Sequence, residues 1–224
     1  MKTRFLKTGI FILIVGLFLT TSCLKDNNNS NQYWISYGVI IGSAGNYNIR
    51  LDDGTILFPD VASQTLVAPH ATDRILVNYS IVSNKIDNGV TNYNIKVNSI
   101  DKLLEKGVVL LTKQSADSLG SDPINARSFW FGNNFLNVNF TFLQNTKIHL
   151  INLAKDTIQS DPTTVSLLLK HNALGDSPTY ERSGFVSFDM MSLLNGKDSV
   201  NIDVKYQDYF GISHDFKGTF KPLQ

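Results

Sequence analysis

Cysteine is almost missing from this chain: Cys23 is the only one in 224 residues, so no disulfide can form within the molecule and its stability has to come from burial. Charge of one sign is missing as well. Lys and Arg total 20 against 19 Asp and Glu. Without residues 1–22, which hold Lys2, Arg4 and Lys7 and no acid, the balance is 17 to 19, a net of about −2. A near-neutral surface excludes electrostatic capture of nucleic acid, which needs concentrated Lys and Arg. There is no apolar run long enough to span a bilayer, since the longest extends only from Gly9 to Leu19 and a crossing helix needs about 20 residues.

Catalytic spacings are also absent. The four histidines, His70, His149, His171 and His214, show neither His-x-x-x-His nor His-Glu-x-x-His spacing. Gly184-Phe185-Val186-Ser187-Phe188 lacks the second glycine of a nucleophile elbow. No glycine loop of phosphate-binding type occurs, and no cofactor is implied.

What is present begins with a targeting segment. Lys2, Arg4 and Lys7 form a basic start, Gly9 to Leu19 an apolar stretch, and Leu19-Thr20-Thr21-Ser22-Cys23 a relaxed lipobox. Cleavage after Ser22 leaves Cys23 to take acyl chains. Each buried methylene contributes about 0.8 kcal/mol, so two or three chains hold a protein at a membrane without spanning it. Leu24 follows the cysteine, which points to the outer membrane; the periplasmic and cell-surface faces both remain open. Residues 23–32 read as the lipidated cysteine and a flexible polar tether.

Beyond the tether the pattern has period two, and the fold class is all-β. An N-terminal OB-like small barrel is expected over 33–112, a linker over 113–123 and a C-terminal β-sandwich over 124–224. In the first block, 33–41 reads as a strand, and Tyr47 to Phe58 as a hairpin turning at Asp52-Asp53-Gly54. Ile75 to Val97 reads as a second hairpin closed by Asn88-Gly89, with Asn92, Asn94, Lys96 and Asn98 facing water. Residues 99–106 are expected to form a short helix capped by Ser99 with Leu103 and Leu104 inward, and 108–111 the last barrel strand. In the second block, strands are expected over 129–131, 135–142, 147–153, 164–171, 184–188, 200–206 and 216–220. Leu136, Val138, Phe140 and Phe142 share one face of the second of these.

Several phrases resemble one family: Trp34-Ile35-Ser36-Tyr37-Gly38, Arg74-Ile75-Leu76-Val77-Asn78-Tyr79-Ser80, Asp122-Pro123-Ile124, Phe135-Leu136-Asn137-Val138, His171-Asn172-Ala173-Leu174-Gly175-Asp176 and Gly184-Phe185-Val186-Ser187-Phe188-Asp189. Together with the lipobox they look like the NigD-like lipoproteins of Bacteroidetes. The resemblance implies an OB-type domain before a β-sandwich, an envelope location and a link to bacteriocin immunity or production. It supplies no catalytic or binding residues.

The residues that could carry chemistry are few. His171 and Asp176 are the best pair, separated by a turn-forming Asn172-Ala173-Leu174-Gly175. Tyr206 and Tyr209, beside Phe210 and Gly211, could form a binding rim or a sandwich corner. Three functional classes follow: a non-enzymatic module binding a protein or glycan partner; a hydrolase or metal site around His149, His171, Asp176 and His214; and an accessory subunit of an outer-membrane assembly.

Overall fold

The computed structural model describes residues 32–65, 70–157 and 163–223. The expected leader, Ser22, Cys23 and nearly all of the tether lie outside the described residues. No helix among the described residues is long and apolar enough to cross a membrane.

The N-terminal strands β1 (Trp34–Ser43), β2 (Asn46–Leu51), β3 (Ile56–Pro59), β4 (Arg74–Asp87) and β5 (Val90–Lys102) close into a barrel in the order β1-β2-β3-β5-β4. Alternation decides its interior: Ile75, Val77 and Tyr79 of β4 and Ile95 and Val97 of β5 meet Ile40, Tyr47, Ile49 and Leu57. Asn92 breaks that alternation. Expected to face water, it is buried, and its side-chain oxygen accepts the Ile56 N–H at 2.8 Å, a donor the parallel β3–β5 pairing leaves free. The helix expected over 99–106 does not form. β5 continues to Lys102 because the first residues of β4 need a partner, and Ile75 pairs with Lys102. Leu104 is exposed.

The C-terminal domain contains all seven expected strands, as β7 (Asn125–Gly132), β8 (Phe135–Gln144), β9 (Leu150–Lys155), β10 (Thr164–Asn172), β11 (Tyr180–Asp189), β12 (Val200–Gln207) and β13 (Ser213–Phe220). It also takes β6 (Glu105–Leu110), expected in the barrel. The first half of β6 pairs with β11 and the second half with β9, so this one strand passes from one sheet to the other. The order β13-β12-β10-β9-β6-β11-β8-β7 results. The break between domains therefore falls near Leu103, not at 113–123. That stretch holds a single helical turn, α1 (Ala116–Leu119), with Leu119 buried, and it belongs to the sandwich. Leu136, Val138 and Phe140 with Leu153, Leu167, Val186, Phe188, Ile202 and Val204 build the core between the sheets.

The two domains are joined through a buried cation. Arg74, fully buried, sends a fork to Asp52 at 2.5 and 2.6 Å, a bond to Asn137 at 2.9 Å and one to Ser187 at 3.2 Å. Asp52 also accepts from Trp130 and Asn133 at 2.9 and 3.0 Å. The barrel thus covers the Asn137 end of the polar face of β8. Gly132 is obligatory here, since an added Cβ would lie 2.1 Å from the Asp52 carboxyl carbon.

Candidate functional site

β7, β8 and β11 contact the barrel near Gly132, Phe135 and Asp189 and run to an opposite end at Asn125, Gln144 and Tyr180. Four loops gather at that end: 120–124, 145–149, 172–179 and 208–212. Here the chain brings His149, His171 and Asp176 together. His149 Nδ1 lies 2.9 Å from His171 Nε2, and His149 Nε2 lies 3.2 Å from Asp176 Oδ2. His171 Nδ1 faces the Pro123 carbonyl at 2.9 Å. The side chains of His149 and Asp176 are 4% and 3% exposed.

Each member is placed by local structure. His171 ends β10 on the core-facing side in register with Ile151 of β9, and His149 leads into β9. Phe142 packs against both rings at 5.1 and 5.5 Å. Asp176 closes the turn after β10 and accepts the backbone N–H groups of Asn145 at 2.6 Å and Thr146 at 3.2 Å. Burial works against its charge, yet those donors and His149 outweigh it and hold the carboxyl down at about 2.

The chain Asp176···His149···His171···Pro123 has an acceptor at each end. Its three hydrogen bonds need three protons, and two neutral imidazoles carry two. It is complete only when the rings hold one extra proton between them. Burial pushes the His171 pKa down; the Pro123 carbonyl opposes that effect and neighbouring His149 adds to it. All four ring nitrogens are engaged, and none is turned outward to exchange a proton with a substrate. Among the described residues no group of three or more His, Cys, Asp or Glu side chains is arranged to hold a metal ion. The constellation acts as a clasp that fixes three loops to one another.

The remaining site residues separate. Tyr209 lines a cleft of about 130 Å³ with Asp122, Ala173, Asp176 and Pro178. Tyr206 instead lies in an aromatic seam, 5.7 Å from Phe129 and stacked on His214 at 5.2 Å. His214 is bound by Asp208 at 2.8 Å, away from the clasp. The Arg74 network and the Pro123 carbonyl had no sequence signal, because each arises only where separate segments meet.

The clasped turn carries backbone strain. Leu174 sits at φ 52° ahead of Gly175 at φ 67°. A left-handed leucine costs roughly 1–2 kcal/mol. It is held by the Asn172 side chain on its own N–H at 2.8 Å, by Asp122 on the Ala173 N–H at 2.6 Å, and by Lys147 on the Leu174 carbonyl at 2.8 Å. The Leu174 side chain is exposed, as are Ile148, Tyr180, Phe210 and Ile212 on the loops of this end.

Known proteins share this architecture. A crystal structure from Parabacteroides distasonis, provisionally described as a toxin-related protein, is 28% identical over 85% of this chain and 94% of its own, with a TM-score of 0.71. A NigD-like immunity protein from Bacteroides caccae is 20% identical over 87% of this chain and 98% of its own, at a TM-score of 0.60. A Bacteroides fragilis protein provisionally described as a lipoprotein shares the fold at 12% identity over 86% of this chain and 100% of its own, at 0.58. No curated protein matches the chain. Residues 39–103 match the NigD-like N-terminal OB domain and residues 107–217 the NigD-like C-terminal beta sandwich domain. With both domains present in that order on the barrel and sandwich just described, the chain belongs to the NigD-like family.

Proposed function

We propose that this protein is a lipid-anchored lipoprotein of the outer membrane that engages a protein partner through the loop end of its sandwich, in bacteriocin immunity or production. The observation that carries the binding role is Leu174. A strained, exposed leucine fixed by a buried clasp, at the same end of the sandwich as exposed Ile148, Phe210 and Ile212, is an apolar anchor with its ordering entropy already lost before contact. Such preorganised apolar groups carry much of the energy of protein interfaces. The NigD-like immunity protein that shares the fold supports the bacteriocin link.

The lipobox ending at Cys23 supports the anchor. From there the chain reaches the barrel first, at Trp34, which pairs with Tyr79 five residues along β4 from the Arg74 interface. The clasped loops lie at the end of the sandwich away from that interface.

Full-length lipoprotein recovered from membranes after gentle crosslinking is expected to carry one protein partner, and Leu174→Ser with Phe210→Ser is expected to lose it. Recovery of the monomer alone, or equal recovery of the partner by the double variant, contradicts the reading. For the anchor, Cys23→Ala is expected to leave the membrane fraction. Its continued partition with membranes at the processed mass would overturn lipidation.

A further inference from the structure

The outward face of the sheet formed by β10, β12 and β13 bears a second feature. Leu168 pairs with Lys205, which pairs in turn with Asp215; Gln207 pairs with Ser213. Since Leu167, Leu169 and Val204 point into the core, alternation places Leu168, Lys170, Lys205 and Gln207 together on the opposite face. A cleft of about 290 Å³ opens there. Its wall is the segment through Ser121 and Asp122, which is pressed onto the end of β10: the Asp122 N–H donates to the His171 carbonyl at 2.9 Å. Gly120 permits the approach, because a Cβ would stand 2.5 Å from that same carbonyl.

The Lys170 side chain is half-buried in this cleft, and its ammonium makes no hydrogen bond or ion pair among the described residues. Burial lowers its pKa, so the ammonium is partly desolvated without compensation. A second cation, Lys205, itself engaged within the protein, lies on the neighbouring strand; Ser213 and Ser121 add hydroxyl donors, and Gln207 has one amide proton beyond its bond to the Gly211 carbonyl at 3.0 Å. Two carboxylates oppose them: Asp122 already accepts the Ala173 N–H at 2.6 Å, and Asp215, across from Lys205, is paired with Lys217 at 2.9 Å.

We propose that this cleft binds an oxyanion, the carboxylate or phosphate group of a small molecule or sugar, between Lys170 and Lys205. The anion supplies the partner that the Lys170 ammonium lacks, and the hydroxyl and amide groups at the rim take its remaining oxygens. The site adjoins the clasped loops, sharing Asp122 and His171 with them, opens on the outward face of the sheet and does not depend on the anchor.

Lysine Cε signals of the full-length protein in neutral detergent micelles test this, with inorganic phosphate in one arm and glucuronate in the other, both against sodium chloride at equal ionic strength. Saturable shifts at Lys170 and Lys205 in either arm are expected, with phosphate alone marking a phosphoryl ligand and glucuronate alone a sugar carboxylate. Lys170→Gln is expected to weaken binding about tenfold or more with its thermal midpoint unchanged, while Lys197→Gln, on an exposed loop, leaves affinity as it was. Shifts at Lys170 and Lys205 no larger than that at Lys197 in both arms, or full affinity in Lys170→Gln, would overturn the proposal.

Discussion

Two buried polar networks hold this molecule together, and they differ in where their charge comes from. Arg74, between the domains, is a permanent cation whose guanidinium nitrogens are all bonded to Asp52, Asn137 or Ser187. The His149, His171 and Asp176 chain at the far end of the sandwich contains no arginine or lysine; its three hydrogen bonds need one proton more than two neutral imidazoles carry, and Lys147 caps the adjoining turn. The region that must not move is fixed by arginine. The region that presents side chains outward is fixed by histidine.

The largest expected effect comes from removing the permanent charge. Arg74→Met leaves Asp52, Asn137 and Ser187 without their donor, and loss of one partner from a buried ion pair costs about 3–5 kcal/mol. Urea unfolding should register it, and a loss under 1 kcal/mol would show that the interface does not depend on this residue. Gly132→Ala strikes the same network sterically and is expected to cost about 1–3 kcal/mol, since the new Cβ has to displace Asp52.

Changes at the clasp should be smaller and pH-dependent. His149→Ala breaks two buried hydrogen bonds and is expected to cost about 1–3 kcal/mol at pH 7. It should leave Trp130 fluorescence, a reporter of the Arg74 interface, as in the parent protein. The acid response has a definite sign. Asp176 is held at about 2, so its stabilisation is complete above the ordinary carboxyl range near 4 and is lost as pH falls from there through 2. His171, with its pKa lowered, adds a penalty that begins as pH drops below about 6.5, where the unfolded chain takes up the proton more readily. Thermal midpoints measured against pH should therefore fall in two stages, and Asp176→Asn should flatten the lower one. An unchanged acid limb in that variant would separate Asp176 from the clasp.

The smallest expected change in stability is at Leu174. Glycine relieves the left-handed strain but enlarges the unfolded ensemble, so Leu174→Gly should shift stability by less than about 1 kcal/mol while removing the exposed side chain. If partner recovery survives Leu174→Gly unchanged, Leu174 is no anchor.

Local signals carried much of the fold. Asp52-Asp53-Gly54 and Asn88-Gly89 mark turns by their own chemistry, and the strands of both domains follow period-two alternation. What was not legible depends on distant partners. Glu105–Leu110 is a short apolar strand whose sequence is silent on whether it joins the barrel or, by parallel pairing with β9 and β11, the sandwich. Asn92 reads as water-facing because its own strand cannot show what will cover it. At the site, His171 and Asp176 were visible as a pair across a turn. That His149 would stand between them, and that a proline carbonyl would end the chain, follows from loops more than 20 residues apart in sequence.

The clasp is complete only with one extra proton and no ring nitrogen left over. Imidazole nitrogen NMR of the intact protein at pH 7 measures this directly. Three protonated nitrogens and one unprotonated nitrogen across His149 and His171, with their protons protected from solvent exchange, are expected. Two protons shared by two neutral rings, or a ring nitrogen in rapid exchange with water, would contradict the clasp and return these residues to candidacy as an acid/base pair.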